Sequence, residues 1–418
     1  MSAIQFYKET EFKEVELNGR AIEIPEDWEV VELDKIVEIH DNKRIPLSER
    51  ERAKRKGPYP YCGATGIIDY IDDYIFEGEY VLLAEDGGYY GPFEPSAYIM
   101  TGKFWVNNHA HVLKAVENVS DNWFIMYMLN YLDLRPYIVG STRTKLNQEY
   151  MRKIRILLPP LEEQKKIAHV LRTIDNAIEI VEKAIEKLER IKKATMEQLL
   201  TKGIGHKEFK KVKLDCRTIE IPKDWIVVRL KDITLPTESI DPTRTPNKEF
   251  KYVDITNVSN TMYKIIGWNL INGKNAPSRA RRLIRSGDII FATTRPYLKN
   301  IAIVPDELDN QICSTGFCVI RANRNKVIPE WIFYCVLTDD FIARVSSKMR
   351  GATYPAVSDK DVLNEKIPLP PLEEQKQIVK ILKTIDEAIE LKKKKKEKLE
   401  RMKKAVMDKL LTGQIRIK

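Results

Sequence analysis

The sequence predicts an α+β chain: two α+β segments separated by two long antiparallel helices, arranged as a tandem repeat with pseudo-two-fold character. Three observations predict it. Residues 159–201 return at 370–412 with a constant offset of 211 and 28 of 43 positions identical. A shorter block, 11–33, returns at 208–230 with 15 of 23 identical. The stretches between block and helix are rich in short strand-like runs punctuated by turns. Internal repeats at this scale set architecture before any local propensity does.

Taken in order, the first block closes with Ile24-Pro25, Trp28 and a Val-Val-x-Leu run. Pro opens a turn, and the tryptophan is expected to plug a core beside the strand. Segment A follows. Gly66–Ile71 and Glu79–Ala84 read as strands, and 121–132 reads as a helix capped by Asp121. Its loops are unusual: basic and aromatic at 42–61, Gly87–Pro92 with two tyrosines, Val106–His111, and a hydroxyl-rich basic stretch at Gly140–Lys145.

The first long helix carries Ile167, Leu171, Ile174, Ile178, Val181, Ile185 and Leu188 in alternating steps of four and three, an apolar seam over three heptads. Pro159-Pro160 hold its entry extended, Glu162 and Glu163 sit at the positive end of the helix dipole, and Gly203 stops it. After the second block, segment B offers strands at Phe250–Ile255 and Gly287–Ala292, and a helix from Pro329 with proline at its first turn. Segments A and B show no obvious alignment. The second long helix ends at Gly413, and it places Lys392 and Lys396 where the first has Val181 and Ile185. A weak seam is expected there, with Leu391 turned inward and lysine stems snorkelling. The run Lys392–Lys396 reads first as a solvated face, and second as a contact for nucleic acid or an acidic partner. The domain reading is therefore 1–157, helix 158–203, 204–367, and helix with tail 368–418.

Composition narrows the function. The 418 residues carry net charge +9, but unevenly: −6 over 22–157, +5 over 215–367 and +7 over 368–418. A nucleic-acid binder can have this balance if its basic groups cluster. No apolar leader or spanning run is evident, so a cytoplasmic protein without membrane contact is expected. Cys62, Cys216, Cys313, Cys318 and Cys335 have no zinc spacing and an odd count, the pattern of buried thiols. No phosphate loop or dinucleotide turn is present. His109-x-His111 lacks further ligands at metal spacing and reads as loop hydrogen bonding. Neither Glu85 nor Asp86 has the companions of a nuclease site. The loops do suit base reading, because Arg pairs with guanine edges and Asn with adenine edges.

At these residues the chain resembles the specificity subunits of type I restriction-modification enzymes. The carriers are the doubled IPxDWxVVxL, the doubled PPLEEQKxI with its TID helix, and the strings GATGIIDYIDDYIFEGEYVLLAEDG and GKFWVNNHAHVL. The resemblance covers about 11–413. It implies two target-recognition domains on a helical spacer and no catalysis in this chain. Its partners would be double-stranded DNA, two methyltransferase subunits and, through them, restriction/translocase subunits. No cofactor is expected here; S-adenosylmethionine, ATP and Mg would belong to those partners. Gly63, Asn107, Asn108 and His109 fall in strings typical of the family.

The candidate DNA-reading residues are Arg44, Tyr61, Gly63, Tyr89, Tyr90, Asn107, Asn108, His109, Arg143 and Lys145 in segment A. In segment B they are Arg279, Arg281, Arg282, Thr293, Arg295, Tyr297, Arg350 and Tyr354. Off-seam apolar positions on the helices, among them Ala168, Val170, Ile180, Ile191, Val379 and Leu391, either pack on the segments or dock methyltransferase subunits; Ile180 and Leu391 are the candidates for docking. The rival reading is a helical adaptor without DNA binding. Antiparallel helices would bring 11–21 near Leu410–Ile415.

Overall fold

The computed structural model describes residues 6–7, 11–17, 20–140, 144–215 and 217–417. Two compact units form, one from 1–183 with 392–418 and the other from 184–391. Each long helix, Leu161–Lys202 and Leu372–Leu411, therefore gives one half to each unit. In the first unit the halves run antiparallel. Asp175 pairs with Lys403 at 2.6 Å and Glu182 with Lys396 at 2.7 Å, so seven residues forward on one helix match seven back on the other. In the second unit Lys192 meets Asp386 at 2.5 Å, and Met196 and Leu200 share a core with Ile378 and Leu382. Val181 and Ile185 are buried as the heptad predicts. Lys396, expected to weaken the seam, instead answers the acid Glu182. Leu391 does not turn inward: it is 68% exposed. Among the described residues no helix is long and apolar enough to cross a membrane.

Both repeated blocks fold alike. A hairpin, Phe12–Leu17 with Arg20–Pro25, leads to buried Trp28 and a strand, Glu29–Glu32, paired with Arg155–Leu158. Its copy is Phe209–Leu214 with Arg217–Pro222, Trp225, and Ile226–Arg229 paired with Lys366–Leu369. Each indole N–H donates to the second glutamate of PPLEEQ: Trp28 to Glu163 at 3.1 Å, Trp225 to Glu374 at 2.9 Å. These glutamates were expected to serve the helix dipole; they also anchor the frame.

In the first unit Arg416 is 2% exposed and donates to Glu163 and to Asp27, both at 2.7–2.8 Å. Phe6–Tyr7 pairs with Arg416–Ile417. Val15 and Ile22 pack in the same core as Leu410 and Leu411, as the antiparallel reading expects for the two ends of the chain.

The cores of segments A and B share a plan that the residues conceal. In the first unit one sheet contains β1 (Val37–Ile39), β2 (Lys56–Gly63), β3 (Gly66–Ile71), β4 (Phe76–Ala84), β5 (Ala97–Val106) and β6 (Ala110–Ala115), in the order β1-β6-β4-β5-β2-β3. The second unit has β7 (Thr234–Leu235), β8 (Glu249–Val253), β9 (Asn269–Asn272), β10 (Ala280–Ile284), β11 (Ile289–Ala292), β12 (Ile301–Ile303), β13 (Gln311–Ser314) and β14 (Phe317–Ala322). Its sheets run β7-β14-β11-β12 and β9-β8-β13-β10. The order is the same once β4 is split into β10 and β11 and β5 into β12 and β13. Even the parallel pair recurs, β2 with β5 and β8 with β13.

So segments A and B, which do not align by residue, are topological copies. Strand pairing follows from alternation and turn placement, which survive wholesale change of residue identity. Cys62, Cys313, Cys318 and Cys335 are buried thiols, and burial pushes Cys62 up to about 12. Cys216 lies outside the described residues.

Candidate nucleic-acid interface

Strand register builds the site. In the first unit Ala84 at the end of β4 faces Ala110 at the start of β6. The turns beyond them must then adjoin, and Glu85 N donates to His109 O at 2.9 Å. A third loop is zipped on: Lys145 bridges both Val139 and Asp86, and Leu146 N donates to Glu85 O at 2.7 Å. Asn107 is 5% exposed, and its carbonyl accepts the His109 N–H at 2.8 Å, an Asx turn that shapes the tip. Asn108 and His109 are left outside, as is Tyr89. His109 Nδ1 meets Asp86 at 2.6 Å.

Beneath this tip lies a buried ionic cluster. Asp41 accepts from His111 at 2.6 Å, Gln148 at 2.9 Å and Val112 N at 2.9 Å. Glu85 takes Arg44 at 2.5 Å and Lys145 at 2.7 Å. The far nitrogen of His111 reaches Leu146 O at 2.7 Å. Burial raises the Asp41 and Glu85 carboxyls, but these partners outweigh it and hold both below the usual range. Asp41, Glu85 and His111 are close enough to ligate an ion, yet Arg44 and Lys145 already supply the positive charge there.

Several candidates therefore work under the surface rather than on it. Arg44 is pinned in the cluster, and Lys145 is half in it. Tyr61 is 1% exposed, its hydroxyl bonded to the Leu47 backbone. Tyr90 is buried beside Ala84, and that burial pushes its hydroxyl up to about 12. Gly63 packs against Ile68 and Asn107. Arg143 lies outside the described residues.

The second unit repeats the geometry. Ala292 at the end of β11 faces Phe317 at the start of β14. Thr293 N donates to Gly316 O at 2.8 Å, and Val357 N to Thr293 O at 3.0 Å. Ala356 bridges both Arg350 and Thr294. The bridged pairs Val139 with Lys145 and Arg350 with Ala356 lie at the same 211 offset as the helices. Buried Ser314 accepts Gly316 N at 3.3 Å, doing what Asn107 does in the other unit.

Here Arg295, Tyr297, Arg350 and Tyr354 come together in exposed positions, with the Arg295 guanidinium 5.6 Å over the Tyr354 ring. Arg279 is exposed and adjoins them, its carbonyl accepting from Thr315 N at 2.8 Å. Thr293 is a buried strut whose hydroxyl donates to Gly316 O at 2.9 Å. Arg281 and Arg282 are half-buried and committed to Asp241 and Asp359. Sequence reasoning missed Asp86, Thr294, Ser314 and Thr315 at the tips. The shared Gly-x-Thr of Gly140 and Gly351 at offset 211 is the signal that would have aligned the loops.

On the helices, Ile180 is 67% exposed and Met402 43% exposed in the first unit. In the second, Leu391 is 68% exposed and Ile191 42%. The 211 offset carries Ile180 to Leu391 and Ile191 to Met402, so each unit shows the same pair of apolar positions. Ala168 and Val379 are instead buried in the cores.

Comparisons with known proteins follow this duplication. A family model described as a type I restriction modification DNA specificity domain matches twice, over residues 25–190 and 222–401. The chain is 32% identical to the type I restriction enzyme MjaVIII specificity subunit of Methanocaldococcus jannaschii, over 99% of this chain and 98% of that one. It is 33% identical to the putative MjaX specificity subunit of the same organism, over 99% of each. Among solved structures, the type I restriction-modification S subunit from M. genitalium matches 95% of this chain and 98% of its own with a TM-score of 0.60; at 15% identity that likeness concerns the fold.

Proposed function

The chain belongs to the type I restriction-modification DNA specificity family, and from that premise we propose that it binds a bipartite, asymmetric DNA site, one half through each recognition segment. Membership in that family makes it a specificity subunit, not a catalytic one. In this reading 1–157 and 204–367 are the recognition domains, and the two long helices form the spacer.

The observation that carries the proposal is the paired three-loop tip. Two copies of one scaffold present different exposed groups: Asn108, His109 and Tyr89 in one; Arg279, Arg295, Tyr297, Arg350 and Tyr354 in the other. A shared scaffold with unlike tips is what two unlike half-sites require. Base edges carry the sequence information, whereas phosphate contacts only position the protein.

The repeated apolar pairs, Ile180 with Met402 and Leu391 with Ile191, fit two copies of one partner, the methyltransferase subunit. Restriction subunits would join through it.

Replacing 34–157 with the corresponding segment of another family member tests the reading. The methylated sequence is expected to change in one half only. A change in both halves, or a wild-type chain whose DNA affinity is absent at every salt concentration, rejects it.

A further inference from the structure

The register between the units aligns single residues. Ala84 corresponds to Ala292 through the strand pairs, and Asp86 to Thr294 through the bridges to Lys145 and Ala356. One position further, Gly87 corresponds to Arg295. Both backbones are left-handed there, Gly87 at φ +66° and Arg295 at φ +50°, ψ +58°. The turn requires that conformation, and glycine adopts it without penalty. An L side chain does so at a cost. Arg295 also precedes Pro296, which further disfavours helical backbone at that position.

Strain of this kind is held by the surrounding structure and clusters at functional sites. The protein itself gives Arg295 little return for it. Among the described residues its guanidinium has no carboxylate or carbonyl partner; it lies over the exposed ring of Tyr354, which is 72% exposed. The backbone beneath is fixed independently, with Arg295 N donating to Pro355 O at 2.9 Å. The fork is thus preoriented on an aromatic platform, with its donors unused.

We infer that Arg295 is a specificity-determining residue of the second unit, and that its guanidinium reads a guanine edge in that unit's half-site. Two parallel N–H donors match guanine O6 and N7, the commonest specific base contact. The first unit has glycine at this position and must read its half-site with other groups of the tip. The assignment rests on the DNA-reading function proposed above.

Arg295→Gly separates the strain from the reading. The full chain, co-purified with its methyltransferase partner, would be exposed to a randomised duplex DNA pool, and the bound sequences counted. The variant is expected to melt at the same or a higher temperature than wild type. Preference for guanine at one position of one half-site should fall by roughly 5- to 150-fold, with the other half-site unchanged. Arg295→Lys keeps the charge but not the rigid planar fork, and should lose part of the same preference.

Unchanged selected sequences in both variants overturn the assignment. So does a uniform weakening of all sequences with the salt slope reduced by about one in Arg295→Gly and restored in Arg295→Lys, which marks a phosphate contact. If the wild-type complex enriches no sequence at all, the DNA-reading function itself fails, an outcome distinct from failure at Arg295.

Discussion

The two tips reach one backbone geometry by different chemistry. Glu85 and Thr293 occupy the same place, each taking a backbone bond from the third loop and giving one to the second. Under Glu85 lie Arg44, Lys145, Asp41 and His111. Register aligns His111 with Cys318, a buried thiol, so the four-membered cluster is replaced in the second unit by one hydroxyl bond from Thr293 and a separate ion pair, Arg282 with Asp359, nearby. The lesson is that main-chain hydrogen bonds define the cradle. The side chains below need only be satisfied, by a shared ionic cluster in one unit or by a hydroxyl bond and a separate ion pair in the other. That freedom lets recognition segments diverge until no alignment remains.

The comparison breaks most visibly if one member of the ionic cluster is removed. Glu85→Ala should destabilise the first unit by about 3 kcal/mol, because Arg44 and Lys145 lose their shared carboxylate and Arg44 is left with Asp41 at 3.5 Å in a buried place. Thr293→Ala, at the equivalent position, should cost only about 1 kcal/mol. Denaturant unfolding of the two variants measures the contrast, and equal losses would end the idea that the tips are held differently.

The frames differ in the same sense. Arg416, buried between Glu163 and Asp27, has as its counterpart at Glu374 the half-buried His206, at 2.8 Å. Arg416→Ala should therefore cost about 3 kcal/mol or more, and His206→Ala about 1 kcal/mol. A thermal-melt series on both variants tests it.

Acid sharpens the contrast between tips. Asp41 and Glu85 are held below their ordinary values, so their contribution is complete above the unfolded range near pH 4 and is lost as pH falls through the folded values. Thr293 has no such dependence. Protection of the Leu146 amide, corrected for intrinsic exchange, should drop below about pH 4 before that of Val357. Simultaneous loss would contradict the ionic account.

The smallest effect on stability belongs to the helices. Ile180→Asp with Leu391→Asp should change stability by less than about 0.5 kcal/mol, since both side chains are exposed. Native mass spectrometry of the co-expressed complex should nevertheless show loss of two methyltransferase copies. An undiminished two-to-one assembly would remove these residues from the docking surface.

What the sequence determined by itself is local and repeated. The heptad steps from Ile167 to Leu188, the proline entries, Asp121 capping Asn122–Tyr131 and the doubled tryptophan blocks all act within a few residues, so periodicity and offset reveal them. Which loop residues reach the surface is not of that kind. Glu85, His109 and Lys145 meet because strand register and a third loop bring them together across 24 and 36 intervening steps of numbering. Arg44 and Tyr61 looked like surface readers but are claimed by partners far along the chain, while Arg295, of the same residue type as Arg44, is left free. The equivalence of Gly87 with Arg295 was invisible for the same reason. Composition reports which groups a loop owns; long-range pairing decides which are spent inside the protein and which remain for DNA.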